Sequence, residues 1–185
     1  MMQIFKKRHI SKKNINAKRS FLRDERGVTA IEFGFLAIPF LALVLVILET
    51  AIIFIAGMIL DNAVNDTVRL IRTGQAENAN FNITSFRADV CSNTVGMMAC
   101  EDLRIRVREV ATFNAANAVP VITNPVNGNW NVIEQYNDGV GGSVIVAEVY
   151  YKWDPVINFR WLNINAGPDG TVLLGSARVW RNEPF

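Results

Sequence analysis

One stretch limits what this chain can become more than any other: DERGVTAIEFGFLAIPFLALVLVIL, residues Asp24 to Leu48. From Phe33 to Leu48 no side chain ionises, and after Glu49 and Thr50 a further ten uncharged residues run to Leu60. A helix crosses the ~30 Å hydrocarbon layer with about 20 apolar residues. Phe33 to Leu60 therefore supplies one membrane span, with Glu49 near an interface. Glu32 stands just inside its start. A charged side chain costs at least ~2.5 kcal/mol at the bilayer centre and less near an interface. Glu32 is thus either simply wet at the cytoplasmic boundary or kept for a function.

Charge gives the segment a direction. Residues 1–26 hold nine Lys and Arg against Asp24 and Glu25, whereas ten basic and fifteen acidic side chains follow Gly27. Basic residues flanking a first span hold that flank in the cytoplasm, so the remainder is expected on the exported, periplasmic side of an inner membrane. Orientation accounts for the basic block more economically than nucleic-acid binding does. The apolar run exceeds the ~7–15 residue core of a secretory signal and no clean small-x-small site follows it. The helix is expected to stay with the mature protein, and any cut to fall before the run.

Pro39 lies within the run, where its ring removes one backbone hydrogen bond. It reads as a kink near Phe35 to Phe40 or as a tolerated membrane proline. Past Leu60 the pattern becomes amphipathic, with Ala63, Val64, Val68 and Ile71 at helical spacing. A rod ending at about Thr73, with Gly74 as its stop, is ~60 Å long at about 1.5 Å per residue. Such a rod is expected to carry its globular part away from the surface.

The exported part opens with GQAENANFNITSFRADV, polar and then a short helix near Ser85 to Val90. Cys91 and Cys100 are the chain's two cysteines; on the oxidising side they read best as one disulfide, with two buried thiols as the alternative. Leu103–Val110 alternates apolar residues with Arg104, Arg106 and Arg108, a half-buried strand with a solvated basic face. Gly142–Trp153 and Thr171–Asn182 are further strands, separated by Asp154-Pro155 and the turn GPDG. The fold class is α+β: a long N-terminal transmembrane helix extending into a small periplasmic domain whose antiparallel sheet has three or more strands. The boundaries fall at 1–27, 28–74 and 75–185. Phe113 to Asp138 reads as a long loop of the kind where partners bind. Trp130, Trp153, Phe159, Trp161, Trp180 and Phe185 read as large fillers of a small core, or as a contact surface between subunits.

Catalytic chemistry finds no footing. The single histidine, His9, lies in the leader and no Ser or Cys has a His partner. The glycines of DGVGGS precede a strand, whereas anion-binding glycine loops precede a helix. Glu101 and Asp102 beside Cys100 do not complete a metal shell. No enzyme, cofactor or metal is expected. Asn82-Ile83-Thr84 matches a glycosylation acceptor, a tripeptide frequent by chance.

The stretch GVTAIEF, with a glutamate fifth after its glycine Gly27, resembles the processing site of type IV pilins and pseudopilins. GVTAIEFGFLAIPFLALVLVILE with DNAVNDTVRLIRTGQ, and the closing ARVWRNEPF, resemble the TadE family of minor pseudopilins of the tight-adherence (Flp) pilus. The resemblance implies a prepilin peptidase cutting between Gly27 and Val28, and roles in assembly and recognition for Glu32 and Phe33. Cleavage would leave an α-amino group at Val28, and the Glu32 carboxylate neutralises such a cation, within one subunit or across two. A buried polar group that demands a partner sets register. Val28 departs from the Phe or Met usual at that place. Implied partners are the peptidase, the major and other minor pilins and the inner-membrane platform, in pilus biogenesis, adhesion and surface colonisation. The rival reading is an uncut, single-span anchor of a periplasmic interaction protein.

Overall fold

Helix α1 runs from Val28 to Arg72, 45 residues with Pro39 inside it. The computed structural model describes residues 27–117, 121–156 and 167–184. The leader with His9, and Phe159, Trp161 and Phe185, lie outside the described residues. The chain divides after Leu45 into two compact units.

In the first unit the helix is apolar on every side: Phe33, Phe35, Leu36, Ile38 and Phe40 are all exposed. A helix hydrophobic all round belongs in a core or a membrane. Helix α1 is long and apolar enough to cross one, which fits a single-span membrane protein.

The second unit begins within the same helix. Glu49, Ala56, Leu60, Ala63, Val64, Thr67, Val68 and Ile71 are buried, a stripe recurring every three or four residues, so one face of the helix is a core face. The helix stops where glycine allows. Gly74 takes φ 74°, a left-handed conformation costly to other residues, and its N–H donates to the Ile71 carbonyl at 3.0 Å. Arg69 and Arg72 occupy the last turn, where cations favour the helix dipole.

One short turn of helix, α2 (Gln75–Asn78), leads to α3 (Ile83–Ser92). The Asn82 side chain caps α3, accepting from the backbone N–H groups of Thr84 (2.9 Å) and Ser85 (3.0 Å); in the glycosylation-like tripeptide the asparagine oxygen thus has a structural use. Four strands follow: β1 (Arg104–Val110), β2 (Gln135–Tyr136), β3 (Val144–Trp153) and β4 (Val172–Arg181). They form one sheet in the order β2-β1-β3-β4. β1 with β3 and β3 with β4 are antiparallel, as expected, but β2 runs parallel to β1, so the sheet is mixed. The added strand lies in the segment read as a loop. With two residues and no alternation it has no sequence signal; Glu134 next to it secures it, its carboxylate accepting from the Ile105 N–H at 3.1 Å and pairing with Arg87 at 2.6 Å.

The inner sheet face, with Ile105, Val107, Ile145, Ala147, Val149, Leu174 and Trp180, meets helix residues Leu60, Val64 and Ile71 and Phe86 and Val90 of α3 in one core. Of the aromatics, Trp180 is buried, and its indole N–H donates to Asn182. Trp153 packs against the core.

The outer face differs from the solvated basic strand that alternation suggests. Arg106 and Arg108 keep only 14% and 17% of their side-chain surface exposed, against a Glu148 that keeps 3%. Arg106 sits opposite Glu148 in the β1–β3 register and pairs with it. The long segment folds back over this face: the Ala116 carbonyl accepts from Arg108, and the Trp130 ring lies 5.7 Å from Arg104 and 4.8 Å from the Lys152 ammonium. Val144, Val146 and Tyr150 are buried there. A carboxylate so enclosed needs both a cation and hydrogen bonds, and the two arginines supply them.

Candidate functional site

Gly27 is exposed and begins the described residues; an added Cβ there would meet nothing within 4 Å. Val28, 45% exposed, is the first residue of α1. Glycine before a helix leaves the backbone accessible and conformationally free. Glu32 is exposed one turn into the helix, and Phe33 beside it is 73% exposed. The helix has no acidic residue in its first turn, so Glu32 is the first carboxylate along it. Residues four apart lie on one helix face, which places the Glu32 carboxylate on the face that carries Val28. Pro39 lies within α1, which is assigned as one helix through it.

Cys91 and Cys100 are joined, with their Cα atoms 5.6 Å apart. The disulfide ties the end of α3 to the 3₁₀ turn Cys100–Asp102 that leads into β1. Its position holds α3 against the sheet, far in sequence from Glu32.

Two carboxylates and one backbone contact that the sequence left without a role organise the second unit. Glu49 heads the buried stripe of α1 and accepts from the Val156 backbone N–H at 3.2 Å. Asp61 accepts from the Ser176 hydroxyl at 2.8 Å and pairs with Arg178; the Ser176 hydrogen bond, with Arg178 beside it, outweighs burial and holds the Asp61 carboxyl below its usual range. At the top, the Glu183 N–H donates to the Arg72 carbonyl at 3.0 Å. The clue in the sequence is that Glu49 and Asp61 fall on the stripe or beside it, where a free carboxylate is costly.

An open cleft of about 460 Å³ lies at the sheet end that carries Trp153 and Val172, lined by Thr123, Lys152, Asp169 and Leu173 among others. Lys152 pairs with Asp169 at 2.7 Å and donates to the Gly128 carbonyl. Burial raises the Asp169 carboxyl, but hydrogen bonds from Lys152 and Thr171 prevail and bring it down to about 2. Gly128, at φ +75°, would put a Cβ 2.6 Å from the Asp169 side chain, so only glycine fits. The charges in this cleft are consumed by each other and by the loop they hold. Among the described residues no cluster of His, Cys, Asp or Glu suits a metal ion.

The family model described as TadE-like protein matches residues 27–69. The match begins at Gly27 and ends three residues before α1 does; the C-terminal segment ARVWRNEPF lies outside it. It is consistent with a TadE-like protein of the tight-adherence system. No curated protein and no solved structure matches the chain.

Proposed function

We propose that this chain is a minor pseudopilin, a structural and assembly subunit of the tight-adherence (Flp) pilus with no catalysis of its own. It enters the inner membrane with its basic leader in the cytoplasm and its α+β domain in the periplasm. A prepilin peptidase cuts after Gly27, and the new amino end at Val28 is neutralised by Glu32. The apolar helix then joins the major and other minor pilins on the inner-membrane platform, in support of pilus biogenesis, adhesion and surface colonisation.

One observation carries this reading. A glycine-led helix, apolar and exposed on all sides over its first four turns, holds a single carboxylate on the face of its fifth residue after the glycine. A pure anchor has no use for that charge and bears its insertion cost. The family match over the same residues supports it.

Intact mass tests the reading. Protein from cells that make the peptidase is expected to lack Met1–Gly27. A chain that retains them loses the central step and stands as an uncut anchor. Glu32→Ala is expected to insert normally and to be depleted from filaments; normal incorporation removes the neutralising role.

A further inference from the structure

We infer that the free edge of β4 is a docking site for an extended, mainly apolar segment of a partner protein that carries a carboxylate opposite Arg181, and that the segment joins the sheet as a further strand. The site lies wholly in the second unit. It goes beyond the proposed function and does not depend on where the leader is cut.

β4 ends the sheet order β2-β1-β3-β4. It pairs with β3 continuously, from Val172 opposite Trp153 to Arg181 opposite Val144, with no bulge. The ladder fixes where its backbone groups point. The Ile105 N–H turns away from β3, to the Glu134 carboxylate. Hydrogen-bonded and non-hydrogen-bonded pairs alternate between antiparallel strands, so Arg106 and Arg108 bond to Glu148 and Val146 of β3. That leaves Val149, Ala147 and Ile145 to bond with Ser176, Arg178 and Trp180 of β4. The N–H and C=O groups of Gly175, Ala177 and Val179 therefore point out of the sheet. Among the described residues no backbone group pairs with them; the Ala177 carbonyl accepts only from the guanidinium of its neighbour Arg178, at 3.2 Å.

Such an edge is a template for another strand, and proteins blunt it with proline, lysine, a bulge or short length. The opposite edge is blunted, since β2 has two residues. β4 has ten, with neither proline nor lysine among them. Its side chains state what the added strand must be. Leu173 and Val179, on the outer face, are 41% and 42% exposed, and Gly175 and Ala177 between them are exposed too. Arg178 turns inward to Asp61. Arg181 shares the outer face by the period of two, is exposed, and has no ion-pair partner among the described residues. An incoming strand thus meets apolar surface along most of its length and one open cation at an end. Apolar residues at alternate positions with a carboxylate opposite Arg181 complement both. A second copy of β4 does not, because the strand carries two arginines and no acid.

Amide exchange read by NMR on the full chain in detergent micelles tests the edge residue by residue. In the free chain Gly175, Ala177 and Val179 are expected to exchange fast, and Ser176, Arg178 and Trp180 slowly. The probe is a short, end-blocked peptide of alternating valine and threonine closed by glutamate. It is expected to slow the first three amides by about tenfold or more, as new backbone hydrogen bonds do, and the same peptide N-methylated on every residue to leave them fast. Arg181→Glu is expected to keep the parent's urea midpoint, to weaken the glutamate peptide by about threefold, the weight of one exposed ion pair, and to strengthen a lysine-closed peptide by as much. No slowing at about millimolar peptide overturns the proposal. If the three amides are slow in the free chain and speed up on dilution, a second copy holds the edge; if they are slow at every dilution, the chain covers it itself. Either result also overturns the proposal. Equal binding of the glutamate and lysine peptides by both proteins overturns the partner's assigned chemistry.

Discussion

One helix holds two regions that sequence composition scarcely separates. From Val28 to Leu48 it has no buried residue, whereas from Glu49 to Ile71 it buries eight. Leu36 and Leu60 are the same residue type in the same helix, one 73% exposed and the other fully covered. The difference lies in what each face is offered. Leu60 lies in one core with the sheet and α3, while Leu36 is left exposed. Apolar side chains state a need for cover; the second unit shows where this chain supplies its own.

The largest contrast sets Phe86→Ala against Phe35→Ala. Phe86 is fully buried, at the centre of the core where α3 meets the sheet, and its truncation is expected to destabilise the folded domain by about 3–5 kcal/mol. Phe35 is 77% exposed, and its loss should leave the denaturation midpoint within about 0.5 kcal/mol of the parent. Urea titration of the full chain in detergent measures both. Equal effects would erase the distinction between the regions.

The disulfide comes next. Reduction, or Cys91→Ser with Cys100→Ser, frees a short loop and is expected to cost about 2–3 kcal/mol in the same titration. Because the bridge belongs wholly to the second unit, insertion of the helix into membranes should be unchanged. Loss of insertion would show that the first region depends on the fold of the second.

The smallest effect is a dependence on pH. Asp61 and Asp169 both titrate below the ordinary carboxylate range in the folded chain. A depressed folded value means that their stabilisation is complete above about pH 4, the unfolded value. It is lost as pH falls through the folded values, about 2 in the case of Asp169. The midpoint should therefore drop between pH 5 and pH 2.5, and the double change Asp61→Asn, Asp169→Asn should flatten that slope. An unaltered slope would assign the acid sensitivity to other carboxylates.

Much of this was legible in the residues. The span, the helix stop at Gly74, the disulfide and three of four strands follow from patterns that local physics imposes: uninterrupted apolar length, glycine at positive φ, nearby cysteines and period-two alternation. β2 was not legible, because two residues carry no period and Glu134 secures them from outside. Nor was the enclosure of Arg106 and Arg108. Alternation states that a strand has two faces, but a solvated face and one roofed by a returning loop have the same pattern.

By itself, then, the sequence determined that a glycine-led apolar helix with one early carboxylate precedes a small α+β domain, because length, charge and periodicity act between near neighbours in the chain. Only the tertiary structure decided where the helix passes from bare to covered. That point is Glu49, and it depends on a backbone N–H more than a hundred residues away. No local pattern can specify a partner at that distance; it exists only once the sheet has closed against the helix.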